Sequence, residues 1–136
     1  MSQSTAGSRI WLIARDWTLR ALVRAQLLEE GHEVTAVEDW EALADLIQDD
    51  VMAPALIIAE LAGDEPPHVV ALLRSLPVRR LVIRGSGAPS VEALRSAGVD
   101  AVLSRPCTVG EVILAARALL GERHWNGAKR TGMRRK

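Results

Sequence analysis

Apolar residues recur along this chain in five short runs, and each run precedes a stretch with helical spacing. The third run, Pro54–Leu61, places five apolar residues in a row before the carboxylate of Glu60. Unbroken runs of this length are typical of strands buried on both faces of a sheet. Because strands and helices alternate along the chain, the pattern predicts a parallel sheet with helices on both sides.

Several helix boundaries are marked by residues that favour helix ends. Asp16 and Asp39 each precede a helical repeat and are predicted to be N-caps. Thr108 and Glu111 form a capping box before the last helix, which we expect to end at Gly121. Right-handed crossovers leave few topologies, and the flavodoxin-like strand order 2-1-3-4-5 is the commonest of them. The sequence therefore predicts a doubly wound (βα)5 fold.

The 136 residues are enough for one domain with a proper core, which we place at residues 9–120. Residues 1–8 are predicted to be a disordered N-terminus. The net charge of zero divides unevenly, because residues 121–136 carry six basic residues against Glu122, which leaves residues 1–120 at −5. We expect 121–136 to be a disordered basic tail. The tail could contact nucleic acid or an acidic surface, or simply aid solubility.

The composition and the terminal sequence limit the expected cellular location and the chemistry of the chain. No apolar run approaches the ~20 residues that a membrane span needs, and the N-terminus lacks the features of a signal peptide. Cys107 is the single cysteine and is expected to be a packing residue, although Arg105 nearby leaves an activated thiolate open. His32 is expected to be a surface residue, and no Cys/His cluster has metal spacing. These features predict a cytoplasmic protein, and the preference for Arg over Lys hints at a bacterial source.

Three segments resemble the receiver domain of response regulators, of the chemotaxis-regulator type. Gly31-His32-Glu33-Val34 corresponds to the family's Gly-Tyr-Glu-Val after the first helix. Pro54–Leu61 corresponds to Pro-Asp-Leu-Val-Leu-Leu-Asp-Leu, and residues 97–106 correspond to Ala-Gly-Ala-Asp-Asp-Tyr-Leu-Val-Lys-Pro. The resemblance covers about residues 9–120. It implies the (βα)5 fold, a role in two-component signal transduction, and a cis peptide bond between Arg105 and Pro106.

The positions that carry chemistry in the family are altered in this sequence. The family binds Mg²⁺ with an acidic pair after the first strand and phosphorylates an Asp after the third. A hydroxyl residue after the fourth strand and a Lys after the fifth bind the phosphoryl group. Ala14 and Arg15, followed by Asp16, stand at the acidic positions, and Glu60 stands at the acceptor position. The hydroxyl position falls on Arg84 if the following loop is one residue shorter than in the family, and otherwise on Gly85. Arg105 stands at the Lys position and Val102 at the switch aromatic.

The resemblance therefore implies a pseudo-receiver that binds no Mg²⁺ and is not an enzyme, since no nucleophile–base set appears elsewhere. Arg15, Arg84 and Arg105 are expected to converge on Glu60, with an ion pair from Arg84 or Arg105. Three readings stay open: Glu60 is purely structural, Glu60 mimics a phosphorylated Asp, or the three Arg residues bind a small anion or nucleotide.

Partners are expected to be proteins, namely a histidine kinase, another regulator or an output domain, and a homodimer is possible. The resemblance places the interface on the fourth helix, fifth strand and fifth helix. The residues named for this face are Val91, Arg95, Val102, Val109 and Val112.

Overall fold

A computed structural model describes residues 7–49, 53–66 and 68–129, and nothing is said of the side chains of Asp49 and of residues 122–129. Strands and helices alternate throughout. The strands are β1 (Arg9–Ile13), β2 (Glu33–Val37), β3 (Leu56–Leu61), β4 (Arg79–Arg84) and β5 (Ala101–Ser104). The helices are α1 (Trp17–Glu29), α2 (Trp40–Asp49), α3 (His68–Ser75), α4 (Val91–Ser96) and α5 (Val109–Lys129).

The five strands form one parallel sheet in the order β2-β1-β3-β4-β5, which confirms the predicted topology. Ile10 is in register with Leu56, and Glu60 is in register with Ile83. The carboxyl ends of β1, β3 and β5 therefore meet at one edge of the sheet. Ser8, which we had assigned to the N-terminal tail, already accepts a hydrogen bond from the Glu33 N–H at 2.9 Å.

Two apolar layers cover the sheet because alternate residues of each strand face opposite sides. Leu56 and Ile58 face α1 and α5, whereas Ile57, Ala59 and Leu61 face α2, α3 and α4. The first four residues of β3 are fully buried, as expected for a central strand covered on both sides. This central position holds Glu60 rigidly at the carboxyl edge.

The predicted caps are confirmed. The Asp16 carboxylate accepts from the Leu19 N–H at 3.1 Å, and the Asp39 carboxylate accepts from the Ala42 N–H at 2.8 Å. The capping box is reciprocal: the Thr108 N–H donates to Glu111 Oε1 at 2.7 Å, and the Glu111 N–H donates to Thr108 Oγ1 at 3.0 Å.

Helix α5 does not end at Gly121, as the sequence suggested, but continues to Lys129. A glycine inside a helix costs only about 1 kcal/mol relative to alanine, and no proline follows to stop the helix. Residues 130–136 of the predicted tail, like residues 1–6 of the N-terminus, lie outside the described part of the chain. Within the described part, no helix is both long and apolar enough to cross a membrane.

Three tryptophans have described side chains, and their environments differ. Trp11 is buried in the core at 3% exposure, and Trp40 packs at the margin of the same cluster. Trp17, at the start of α1, is 69% exposed. A surface aromatic of this kind is available for contact with another molecule.

His32 is half-buried rather than a surface residue, and its Nδ1 accepts a hydrogen bond from the Ser8 N–H at 3.0 Å. Burial lowers the pKa of this imidazole because it disfavours the charged form, and Glu30 offsets only part of the effect. A protonated ring would also place a donor against the Ser8 donor. Neutral His32 therefore fits the fold better than the charged form.

We expect the free energy of unfolding to fall as the pH drops below ~6.5, the pKa of an unperturbed histidine. The unfolded chain binds a proton in this range before the folded chain does, so acid favours unfolding. Urea titrations at several pH values measure the slope. His32→Gln should flatten it between about pH 6.5 and 5, while the exposed-site change His68→Gln should keep it; an unchanged slope in His32→Gln would contradict this assignment.

Candidate functional site

The candidate site lies where the loops after β1, β3 and β5 meet. Ala14 follows β1 and is buried, and Arg15 and Asp16 complete the turn into α1. Glu60 is the penultimate residue of β3, and Arg105 follows β5. The fold thus brings together three segments that are far apart in the sequence.

Glu60 joins two of these loops through both carboxylate oxygens. Its Oε1 accepts from the backbone N–H groups of Arg15 at 2.9 Å and of Asp16 at 3.1 Å. Its Oε2 accepts from the Arg105 guanidinium at 2.8 Å. Only 11% of the Glu60 side chain is exposed. Its carboxylate is therefore satisfied within the protein on both oxygens.

Arg105 bridges the two carboxylates of the site. One guanidinium nitrogen contacts Glu60, and the other contacts Asp16 Oδ2 at 2.9 Å. The Leu19 N–H, which Asp16 caps, and then Arg105 hold the pKa of Asp16 below its usual range. The hydrogen bond that Arg105 donates to Asp16 correspondingly raises the pKa of Arg105. The predicted Glu60–Arg105 pair is present, and Asp16 is added to it.

Arg15 meets Glu60 only through its backbone. Its side chain turns outward and pairs with Asp64, with Nη1 to Oδ1 at 2.9 Å. Both side chains are more than half exposed, so solvent screens the pair. Asp64 carries no sequence signal as this partner except its position in the loop after β3.

Arg84 does not reach Glu60, so this part of the sequence prediction was wrong. The register pairs Arg84 with Leu61, whereas Glu60 pairs with Ile83, so Arg84 and Glu60 lie on opposite faces of the sheet. Arg84 instead donates to the carbonyls of Ala88 at 3.2 Å and Pro89 at 2.8 Å. Its Nη1 also lies 3.3 Å from Ser104 Oγ. The three guanidinium groups therefore do not converge.

The loop after β3 is held by hydrogen bonds within itself and by contact with the next loop. Glu65 folds back so that its carboxylate accepts from the N–H groups of Ala62 at 2.7 Å and Gly63 at 2.9 Å. Gly63 has a positive φ of 113° and packs against the backbone of Gly87 in the next loop. These contacts fix the loop that carries Asp64.

Val102 and Cys107, which lie on either side of Arg105 in the sequence, serve packing. Val102 is half-buried and packs against the cluster under α2, α3 and α4. The Arg105–Pro106 peptide bond is cis, as the resemblance implied. Cys107 packs against the other cluster, and burial raises the pKa of its thiol, which favours a packing role over an activated thiolate.

The donor set is a poor match for Mg²⁺. The ion takes about six oxygen ligands in near-octahedral order, of which one or two are carboxylates whose oxygens are free to bind it. The acidic pair is replaced by Ala14 and Arg15, and the oxygens of Glu60 and Asp16 already accept from N–H groups and from Arg105. A guanidinium placed between the two carboxylates would also repel the ion.

No protein-family model matches the sequence, and no curated protein matches it either. Solved structures do resemble the fold. The receiver domain of the Francisella response regulator 1452 has a TM-score of 0.70 at 16% identity, with 86% of this chain and 99% of that chain covered. A response regulator receiver protein from Sinorhizobium medicae has a TM-score of 0.68 at 23% identity, with coverage of 88% and 99%.

The chain also matches part of a longer regulator. Full-length FixJ from B. japonicum has a TM-score of 0.68 at 16% identity, and the match covers 86% of this chain and 59% of FixJ. These likenesses establish the fold: the chain has the receiver-domain architecture of response regulators.

Proposed function

We propose that this chain is a pseudo-receiver, a cytoplasmic module of two-component-like signalling that acts by protein contact and without a phosphorylation step. The observation that carries the proposal is the guanidinium of Arg105 between Asp16 and Glu60. A cation of the protein itself thus lies between the two carboxylates, at the sheet edge where the resemblance implies Mg²⁺ and a lysine. The module has no catalytic role.

The geometry of Glu60 supports the loss of phosphoryl transfer. Its side chain is one methylene longer than that of the family's Asp, which shifts the oxygen away from the in-line position that transfer requires. Both oxygens already accept hydrogen bonds from Arg15, Asp16 and Arg105. Attack on a phosphoryl donor would have to break these contacts without help from a metal.

The same contacts support a structural role for Glu60 over a phosphoryl mimic. Glu60 joins the β1–α1 and β5–α5 loops but makes no hydrogen bond to Arg84 or to the loop after β4 within the described residues. Val102 also supplies no aromatic ring whose rotation could report on the site. We therefore propose that the signalling surface is constitutive.

The proposed surface for a kinase, regulator or output domain is formed by α4, β5 and α5. Arg95 is exposed there, and Val91, Val102 and Val109 are half-buried. Val112, which the sequence analysis placed on this face, is fully buried against the sheet and does not belong to it. The face thus offers a mixed polar and apolar surface typical of protein interfaces.

Amide NMR titration of the full chain tests the proposal. Mg²⁺ and then beryllofluoride, an analogue of the phosphoryl group, are added to ¹⁵N-labelled protein. We expect no saturable shift of the amides of Ala14, Glu60 or Arg84, because the carboxylates are occupied. Saturable shifts from Mg²⁺ with beryllofluoride would overturn the proposal.

Glu60→Asp provides a matched control, because it restores the family's acceptor alone. We expect it to remain inert to beryllofluoride, since the acidic pair is still replaced by Ala14 and Arg15. Phosphate and a nucleotide panel follow in the same titration. Saturable shifts from these anions alone would favour a small-anion sensor instead, and the shifted amides would show which of the separated residues Arg15, Arg84 and Arg105 lies near the anion.

A further inference from the structure

One segment of the chain is strongly acidic. Residues 29–50 contain nine acidic residues and no Lys or Arg. The segment covers the last residue of α1, all of β2, and α2, and it forms one side of the molecule because β2 is the edge strand of the sheet. We call its exposed members around the start of α2 the acidic edge: Glu38, Asp39, Glu41 and Asp45.

The acidic edge is not neutralised from within the described protein. Asp39 is occupied as an N-cap, but Glu38, Glu41 and Asp45 form no ion pair with any described residue. Glu30 and Glu33, lower on the same side, are paired with Arg117 and Arg9. Like charges on neighbouring turns repel one another, so a cationic partner would stabilise this surface.

The complementary charge lies at the other end of the chain. Residues 129–136 contain five basic residues and no acidic residue; we call them the basic segment. The segment is carried by α5, which starts after the carboxyl end of β5 and passes α1 at the Arg117–Glu30 pair. From Arg117 the helix continues for twelve residues, or about 18 Å, to Lys129.

Geometry places the basic segment beyond the reach of its own acidic edge. The Arg117–Glu30 pair lies near the start of β2, whereas Glu38 follows the end of β2, about 16 Å away in the opposite direction. Lys129 and the acidic edge are therefore about 34 Å apart along the strand direction. Residues 130–136 span at most ~25 Å when fully extended.

We propose that the acidic edge binds the basic segment of a second copy of this chain. A symmetric pair satisfies both copies at once, since each offers one acidic edge and one basic segment, and the arrangement closes without leaving either unpaired. The contact differs in location from the α4–β5–α5 surface. It also does not depend on whether the chain binds Mg²⁺, so the two proposals can fail separately.

Size-exclusion chromatography with light-scattering detection of the 136-residue chain tests the proposal. At low salt the mass is expected to be twice 14.8 kDa, and at about 0.5 M salt it should return to one chain because salt screens exposed charges. Reversal of three charges on either side should weaken the dimer at least ~30-fold. The edge variant is Glu38→Lys, Glu41→Lys, Asp45→Lys, and the tail variant is Arg130→Glu, Arg134→Glu, Arg135→Glu.

Mixing the edge variant with the tail variant is the decisive test. In a pair formed by one edge variant and one tail variant, one contact joins an unaltered edge to an unaltered tail, and the other joins a reversed edge to a reversed tail. Opposite charges meet in both contacts. The mixture is therefore expected to dimerise although each variant alone does not. A third variant, Arg24→Glu, Arg74→Glu, reverses two charges elsewhere on the exposed surface, away from the α4–β5–α5 face, and should dimerise like the wild type. Circular dichroism verifies that all variants are folded.

Three outcomes would overturn the proposal: a wild type that is monomeric at low salt, variants that dimerise like the wild type, or a mixture that fails to dimerise. Amide shifts give an independent reading. Unlabelled edge variant added to ¹⁵N-labelled tail variant should shift the amides of residues 38–45. The same amides can also be compared between dilute, monomeric wild type and the tail variant. A difference there would show that the tail folds back on its own chain instead, and would overturn the proposal.

Discussion

Glu60→Ala is expected to lower the free energy of unfolding by about 2–3 kcal/mol, because it leaves two backbone N–H groups and a guanidinium without their acceptor. The affected donors are the N–H groups of Arg15 and Asp16 and the side chain of Arg105. Chemical denaturation measures the loss, and the melting temperature should fall by about 8 °C for a domain of this size. The loop after β1 should also exchange its amide hydrogens faster.

Glu60→Gln separates charge from shape. The amide oxygen can still accept one of these bonds, so we expect a loss of about 1 kcal/mol. Arg15→Ala is the control, because it removes only the exposed pair with Asp64 and should unfold like the wild type. A Glu60→Ala protein as stable as the wild type would contradict a structural role and would favour the phosphoryl-mimic reading.

Gly63→Ala is expected to destabilise the protein by at least ~2 kcal/mol, because a Cβ is strained at this positive φ and has no room. The φ is 113°, and a Cβ would lie 2.5–2.7 Å from backbone atoms of Gly87. The loop after β3 would have to move away from the loop after β4. Thermal and urea unfolding measure the effect.

Gly87→Ala tests the same contact from the other side. A Cβ at this position would lie 3.4 Å or more from its neighbours, so the change should cost less than ~0.5 kcal/mol. Equal losses in the two variants would contradict the close approach. The amides of Asp64 and Glu65 should shift in Gly63→Ala and remain in place in Gly87→Ala.

Local signals in the sequence predicted most of the fold. Unbroken apolar runs marked the strands, and the hydroxyl or carboxylate residues before each helical repeat marked the caps at Asp16, Asp39 and Thr108. A capping residue bonds to the first turn of its own helix, and a strand buried on both faces needs an unbroken apolar run. Both features are therefore visible in a short stretch of sequence. The end of α5 was predicted wrongly, since one glycine is too weak a signal to stop a helix.

The positions of the candidate site were also readable from the sequence, but the pairing of their side chains was not. The order of strands brings Asp16, Glu60 and Arg105 to one edge in any doubly wound sheet of this topology. Which arginine binds Glu60 depends on sheet register: Arg84 is aligned with Leu61 and faces the other side, so Arg105 forms the pair. The sequence determined which residues meet at the edge, and only the tertiary structure decided their partners, because strand register sets the face on which each side chain lies.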